Sequence, residues 1–229
     1  MSSRDAHYFS IFVHLPNRSI RASGSYAGQI LNGGAVKQIR SLVLLTALVG
    51  MLSVIRPAVA AENYTVDTAH TYILFRVKHL NVGYSYGRLN GATGTFVLDD
   101  ASPAKNRIEM QVMAKDVDTY DAKRDKHLQS PDFFDVGQHP LITFKSISLK
   151  KLEGDLYEIT GDLTLLGKTR PITFQARQTG SGKDPWGDYR RGFETDFTIK
   201  RSDFGMNFLL DVVSDEVDLT VSVEGIRQQ

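Results

Sequence analysis

The chain has 229 residues, of which 41% are hydrophobic and 23% charged, a balance typical of a globular protein. It contains no cysteine, so disulfides, cysteine nucleophiles, thiolate zinc sites and iron–sulfur clusters are excluded. Residues 62–229 carry 21 basic and 25 acidic residues, since six of the chain's 27 basic residues and one of its 26 acidic residues precede them. A mildly acidic domain lacks the clustered cations that bind a phosphate backbone, so we expect no nucleic-acid partner.

The first predicted element in chain order is a secretory signal peptide over residues 36–61. Two basic residues precede an apolar run at 41–55, and an Ala-x-Ala sequence ends the segment, which is the order of a cleavable signal. A retained membrane anchor is the alternative, but a membrane span needs about 20 apolar residues and this run is shorter. We therefore expect cleavage near Ala60 or Ala61.

Residues 1–35 do not fit the layout of a signal peptide. They are polar, rich in Ser, Gly and Arg, and show no periodic pattern, so we expect a disordered extension. The alternative is a misassigned start, with translation beginning downstream at Val36.

Residues 62–229 are predicted to form one domain of β-strands, because no linker or repeat divides them and apolar residues recur at every second position. The most regular segment is 217–223, in which four apolar residues alternate with acidic and hydroxyl side chains. Such a strand has one buried face and one solvent-exposed face. The other segments with strand periodicity are 73–79, 86–98, 108–113, 142–146, 157–165, 172–176 and 193–199.

The connections between these strands are predicted to be short. Three glycines within residues 86–98 predict bulges or tight bends, whereas residues 166–168 form a turn and residues 179–189 a polar loop. In that loop the sequence from Gly180 to Asp184 resembles a phosphate-binding loop only superficially, and we interpret it as a hairpin loop. About eight antiparallel strands with such connections predict an all-β, eight-stranded barrel, with a flattened sandwich as the alternative.

A short helical insertion at about 121–136 interrupts the strands. Asp118 and Asp121 are both suited to cap the N-terminus of a helix. Residues 122–129 then follow without glycine or proline, and a Ser-Pro pair ends the helix and starts a second short turn.

Two groups of side chains on this insertion are candidate functional residues. Phe133 and Phe134 face the sheet, where they either plug one end of the barrel as core or form a lid over an internal cavity. Arg124, Asp125 and His127 are either an exposed charged face or a contact to a lipid head group, because Arg and protonated His bind phosphate. Half of a metal site is a third interpretation, but zinc needs three or four ligands and no further histidine pair supplies them, so no metal site is predicted.

No catalytic residue and no cofactor are predicted. The chain has no G-x-S-x-G, H-E-x-x-H or G-x-G-x-x-G motif. Its acidic residues are scattered over exposed strand faces, so no pair is typical of a glycosidase.

Residues 62–229 resemble the polyisoprenoid-binding YceI-like family, and closely its periplasmic Escherichia-type members. Each matching motif is short, but the ordered set is highly specific. The extension at 1–35 departs from the family pattern. The motifs are Val66-Asp67, His70, Val117-Asp-Thr119, Arg124-Asp-Lys-His-Leu128, Phe133-Phe134, Pro140, Thr143-Phe144, Gly161-Asp-Leu-Thr164, Asp184-Pro-Trp-Gly187, Gly192-Phe193, Asp203-Phe204 and Val221-Ser-Val-Glu-Gly225.

The resemblance implies an elongated, lipocalin-like antiparallel barrel whose apolar tunnel holds a long isoprenoid tail. It also implies a signal peptide, a periplasmic location and no established catalytic residues. Four residues, Arg124, His127, Phe133 and Phe134, are expected to contact the head group or to form the lid. Twelve apolar strand residues are the expected sleeve around the tail, with ordinary core as the alternative for each. They are Ile73, Phe75, Val77, Phe96, Leu98, Met110, Val112, Phe144, Phe193, Phe197, Leu219 and Val221.

Three functions are compatible with this sequence. The leading hypothesis is a periplasmic binding protein that holds an isoprenoid lipid, of the quinone or polyprenyl phosphate type, for transport, storage or stress response. The second is an enzyme acting on a lipid or small apolar substrate in the cavity. The third is a structural or stress protein with a filled core. Transient membrane contact and a homodimer are further expectations about partners.

Overall fold

The computed structural model describes residues 61–229, so the predicted extension at 1–35 and all but the last residue of the predicted signal peptide at 36–61 lie outside the described residues. Eleven β-strands and one α-helix, α1 (Ala122–Leu128), make up most of the described part. Within it no helix has the length and apolar character that a membrane crossing requires. The strands are β1 (Glu62–Val66), β2 (Tyr72–His79), β3 (Gly83–Leu89), β4 (Thr93–Leu98), β5 (Arg107–Met113), β6 (Val117–Asp118), β7 (Leu141–Lys151), β8 (Leu156–Leu165), β9 (Lys168–Lys183), β10 (Tyr189–Lys200) and β11 (Val213–Arg227).

Eight of these strands close into an antiparallel barrel. Main-chain hydrogen bonds join neighbours in the order β1, β4, β5, β7, β8, β9, β10 and β11, and β11 returns to pair with β1. Residues 225–227 of β11 pair with β1, whereas residues 213–222 pair with β2, which continues to β3 and then β6. The predicted all-β, eight-stranded barrel with a short helical insertion is therefore confirmed, and the sandwich alternative is wrong.

Alternation along the strands separates the inside of the barrel from the outside. Leu219 of β11 lies opposite Phe75 of β2 and Phe197 of β10, and all three side chains point inward. Because directly opposite residues share a face, apolar residues at every second position build a continuous apolar interior. Gly87 lies opposite Phe75, and a Cβ there would overlap the Phe75 ring, so glycine lets the ring lie over the strand.

The segment 86–98 is not one continuous strand, because it is interrupted at residues 90–92. The interruption contains Gly91, one of the three glycines that predicted a bulge or bend, and its φ of +73° is a conformation that glycine adopts without strain. Apart from Tyr86, the cavity-lining residues of β2 and β3 have odd numbers, up to Leu89, whereas those of β4, Phe96 and Leu98, have even numbers. This change of parity is the sequence signal of the break. The short strands β1 and β6 were also not among the predicted segments.

The polar loop predicted at 179–189 is wrong in extent. β9 ends only at Lys183, and the connecting loop is residues 184–188. Main-chain pairs such as Gly182 with Arg190 extend the hairpin, and these hydrogen bonds do not require apolar side chains. The Gly-Ser-Gly-Lys sequence is therefore the end of a strand rather than a hairpin loop.

The helical insertion begins at one of the two predicted caps. Asp121 caps α1, because its carboxylate accepts a hydrogen bond from the main-chain N–H of Arg124 at 2.9 Å. Asp118, the alternative cap, instead accepts two hydrogen bonds from the guanidinium of Arg88. After the helix, hydrogen-bonded turns carry the chain to β7 and so place the insertion across one end of the barrel.

One guanidinium joins three segments at the opposite end of the barrel. Arg190 of β10 donates hydrogen bonds to Asp67 at 2.6 Å, to Asp184 at 2.7 Å and to Glu224 of β11 at 2.6 Å. The side chains of Asp67 and Asp184 are mostly buried. The Arg190 guanidinium lowers the pKa of Asp67 to about 2, and a hydrogen bond from His70 acts in the same direction.

Arg190→Met is expected to destabilise the barrel at neutral pH and less so in acid. The pKa of Asp67 lies below its ordinary value of about 3.9, so this carboxylate stabilises the fold above that pH and loses the effect as the pH falls towards about 2. At neutral pH the variant leaves three carboxylates together without their cation. We expect a loss of about 2 kcal/mol, less than for a fully buried pair because Arg190 is 22% exposed.

Urea unfolding at neutral pH and at about pH 3 measures this difference. Arg170→Met is the matched control, because Arg170 is exposed and pairs with no carboxylate within residues 61–229. Equal destabilisation of Arg190→Met at both pH values would contradict the assignment of the effect to the carboxylates.

Candidate ligand-binding cavity

The interior of the barrel contains a cavity of about 590 Å³, a volume within the range of small-molecule sites. Its wall consists mainly of inward-facing apolar side chains. All twelve residues of the predicted sleeve, from Ile73 to Val221, line this cavity. Their contact with a ligand stays a prediction.

The sleeve prediction omitted much of β7, β8 and β9. These strands contribute a large part of the cavity wall, and their alternation at 157–165 and 172–176 was visible in the sequence. The rule used for β2 and β11 would therefore have found them. Among these additional lining residues are Ile142, Tyr157, Ile159, Leu163, Ile172 and Phe174.

One end of the cavity is closed by packed side chains. Leu98, Leu149 and Tyr157 line the cavity at this end and are buried. Beyond them the ring of Tyr64 stacks on that of Phe96 with centroids 4.6 Å apart, and both rings belong to the same buried cluster. These buried, packed side chains form the floor of the cavity.

The other end opens to solvent beside α1. His79 and Leu209 line the cavity there, yet both remain exposed. The four predicted head-group or lid residues also line the cavity. The structure thus places the predicted sleeve and the predicted head-group residues around one cavity, with an apolar interior and a partly polar mouth.

Phe133 lies where either of its two predicted roles, plug or lid, would place it, and the choice between them stays a prediction. Its ring is buried in a cluster at the open end, as plug packing requires, and it also lines the cavity. The His127 ring meets Phe133 and Phe208 edge-on, with centroids 5.1 and 5.7 Å away. His127 Nε2 lies 2.9 Å from Asp132, which orients the imidazole. Phe134 is half-buried and also lines the cavity.

Arg124 presents unused donors at the mouth. Its Nε donates to Thr119 Oγ1 at 2.7 Å and its Nη2 to the Thr119 carbonyl at 2.5 Å, whereas Nη1 makes no hydrogen bond to residues 61–229. No carboxylate of that part of the chain lies within 4.0 Å of the guanidinium. Asp125 accepts hydrogen bonds from the N–H and hydroxyl of Thr119. Asp125 therefore positions Thr119, which in turn orients Arg124.

Arg201 is a second cation at the mouth, and nothing in the sequence pattern indicated it. It is 3% exposed and lines the cavity. Its guanidinium donates to four main-chain carbonyls. Burial lowers the pKa of Arg201. The negative charge of Asp215 acts to raise that pKa, but the Asp215 carboxylate accepts its hydrogen bonds from Ser202 and forms no ion pair with Arg201. The carbonyls belong to Met206, Phe208, Val213 and Ser214.

One group of three metal-ligating side chains comes together within residues 61–229. It consists of Asp67, His70 and Glu224 near the closed end of the barrel. Arg190 donates to both carboxylates and supplies the positive charge that a cation would bring. The geometry of this group is therefore explained by the ion pairs of Arg190.

Residues 64–225 match the family model of the YceI-like domain. The chain belongs to the YceI-like family. A UPF0312 protein of Pectobacterium atrosepticum is 43% identical to it over 191 residues, which cover 83% of this chain and 98% of that protein.

Two solved structures share the fold of this YceI-like protein. BcnA of Burkholderia cenocepacia has a TM-score of 0.63 at 23% identity, covering 69% of this chain and 98% of BcnA. A polyisoprenoid binding domain from Saccharophagus degradans, implicated in plant cell wall breakdown, has a TM-score of 0.58 at 14% identity and covers 72% of this chain and 98% of that domain. At these identities the likeness concerns the fold alone.

Proposed function

We propose that this YceI-like protein is a periplasmic binding protein that holds a long-chain isoprenoid, or a similar amphiphilic lipid, in its barrel. The observation that carries the proposal is an apolar cavity with a packed floor and an open mouth. The polyisoprenoid binding domain from Saccharophagus degradans, which shares the fold, supports the class of ligand. Transport, storage or stress response is the purpose that such reversible binding would serve.

The chemistry of the wall matches a linear hydrocarbon. An isoprenoid tail has no hydrogen-bonding groups, and each CH₂ equivalent removed from water stabilises the complex by about 0.8 kcal/mol. Isoleucine, leucine, valine and phenylalanine side chains supply an apolar surface for it. The tail would point to the floor, which leaves the polar head group at the mouth beside α1.

The same mouth favours binding over catalysis. His127 is engaged with Asp132 and two aromatic rings, and Asp125 is engaged with Thr119. Within residues 61–229 no hydroxyl hydrogen-bonds to the His127 ring, and the Thr119 hydroxyl beside Asp125 is already engaged with Arg124, so neither pair has the arrangement of nucleophile and base that an acyl-transfer site requires. Location in the periplasm rests on the basic segment, apolar run and Ala-x-Ala site of residues 36–61.

Of the two head-group classes, the mouth favours an anionic phosphate over a neutral quinone. Arg124→Gln is expected to lower affinity for a polyprenyl phosphate about tenfold, because it removes a charge-assisted hydrogen bond. Affinity for a quinone or a prenol of the same chain length should change less than about threefold. Titration of delipidated protein with the three ligands measures both effects.

Lys123→Gln is the matched control, because it removes the same charge from the same helix at a residue that does not line the cavity. Equal losses for all three ligands in Arg124→Gln would contradict the head-group assignment. If the unsubstituted protein binds none of the three ligands, the polyprenyl phosphate, the quinone and the prenol, that result would contradict the proposed function itself.

A further inference from the structure

Five large apolar side chains are exposed around the mouth of the cavity. Two lie in the turn between β2 and β3, and three lie in the segment that precedes β11. Val82 is 88% exposed and Leu80 is 55% exposed. Single exposed apolar residues are common, whereas a contiguous exposed group marks an interaction surface. This group, the apolar rim, consists of Leu80, Val82, Phe208, Leu209 and Leu210.

The two segments of the apolar rim form one surface. The N–H of Leu80 donates to the carbonyl of Val212 at 2.7 Å. Val213 of β11 pairs with His79 of β2, and the N–H of Val82 donates to the His79 carbonyl at 3.0 Å. The turn after β2 is therefore fixed against the segment before β11.

The apolar rim is continuous with the wall of the cavity. Leu209 is exposed and also lines the cavity, and Val212 beside it lines the cavity as well. The ring of Phe208 packs on His127 and Phe133, which line the mouth. A hydrocarbon chain at the rim would thus find apolar side chains along which to pass inward.

Two leucines of the rim have an unusual backbone conformation. Leu80 and Leu209 have φ angles of 52° and 55°, the left-handed region that side chains with a Cβ rarely adopt. Such residues persist only where the surroundings determine them. Arg201 supplies part of that support, because it binds the carbonyl of Phe208.

Charge at the rim indicates the kind of surface it fits. Residues 78–83 contain one lysine, and residues 205–213 contain one aspartate, so the two segments carry no net charge. Contact of these two segments would therefore depend on apolar area rather than on anionic lipid. Apolar segments without net charge, beside the mouth of a hydrocarbon cavity, match the interface of a bilayer.

We propose that the apolar rim docks on the surface of a lipid bilayer and aligns the mouth with the membrane, so that an isoprenoid tail moves between bilayer and cavity without entering water. This inference rests on the proposed function. The rim therefore contacts the bilayer itself, and the isoprenoid ligand would enter the cavity from that bilayer.

Flotation of the mature protein with phosphatidylcholine vesicles tests the docking, and transfer of polyprenyl phosphate between vesicles tests its consequence. In the double variant Val82→Ser, Leu210→Ser, neither substituted residue lines the cavity. We expect its vesicle-bound fraction and its transfer rate to fall about fivefold or more, since binding scales with apolar area. Affinity for polyprenyl phosphate in vesicle-free solution should change less than about twofold.

Trp186→Ser is the matched control, because Trp186 is an exposed apolar residue in the loop next to Arg190 at the closed end. Binding of the unsubstituted protein should also survive high salt, which screens charges but not apolar contact. The proposal is overturned if the unsubstituted protein does not float, or if the double variant floats and transfers equally well. It is also overturned if the double substitution abolishes a dimer in light scattering and leaves flotation unchanged. If the unsubstituted protein does not bind polyprenyl phosphate in vesicle-free solution, that result would instead count against the proposed function.

Discussion

Leu219→Trp is expected to abolish isoprenoid binding while the barrel stays folded. Leu219 lies at the middle of β11, between Phe75 and Phe197 on the neighbouring strands, and all three side chains face the cavity. An indole at this position would extend into the cavity and block the path of a tail from mouth to floor. Overpacking destabilises cores without free space by about 1–3 kcal/mol, whereas here a cavity accepts the added atoms.

Titration with a polyprenyl phosphate measures the loss, which should be at least about a hundredfold because most of the buried hydrocarbon contact disappears. Leu219→Met conserves the side-chain volume and should bind normally. Val217→Phe adds less bulk on the same face and gives a second blocking variant should the tryptophan disturb folding. Normal binding by a folded Leu219→Trp protein would show that the ligand lies elsewhere.

Arg201→Met is expected to cause the largest loss of stability among the substitutions considered. The change removes four hydrogen bonds from a charged, buried donor, so the four carbonyls lose their charged partner. Charge-assisted bonds contribute about 1.5–3 kcal/mol each, and partial rehydration of the carbonyls with relief of the buried charge reduces the total to about 3–5 kcal/mol. The loss should be largest in the segment between β10 and β11, which these bonds hold.

Urea unfolding measures the total loss, and hydrogen exchange of residues 205–213 measures the local one. Arg201→Lys keeps the charge but lacks the planar fork, so it should recover only part of the stability. A variant Arg201→Met as stable as the unsubstituted protein would mean that the cost of burying the guanidinium offsets its hydrogen bonds.

Much of the barrel could be predicted because its strands obey a period of two. Val217, Leu219 and Val221 alternate so regularly that the inward face of β11 was readable from the sequence, and the same rule placed Ile73 and Phe75 on the cavity wall. Helix capping is equally local, so Asp121 was among the two candidates for the start of α1.

Features that depend on partners far along the chain could not be predicted in this way. Arg201 follows a strand in a polar sequence, and only the fold places four carbonyls around it. The apolar rim combines residues more than a hundred positions apart, such as Leu80 and Leu209, so no local pattern reveals it. The strand end at Lys183 is set by main-chain pairing, to which side-chain polarity gives no guide.

Native mass spectrometry of the protein purified without detergent from the cells that naturally make it tests the central claim most directly. We predict a complex whose added mass corresponds to one amphiphilic isoprenoid per chain, which dissociates on activation and is absent from Leu219→Trp. A clean mass of the chain alone, unchanged when polyprenyl phosphate or an isoprenoid quinone is added, would contradict the claim that the barrel is a lipid-binding cavity.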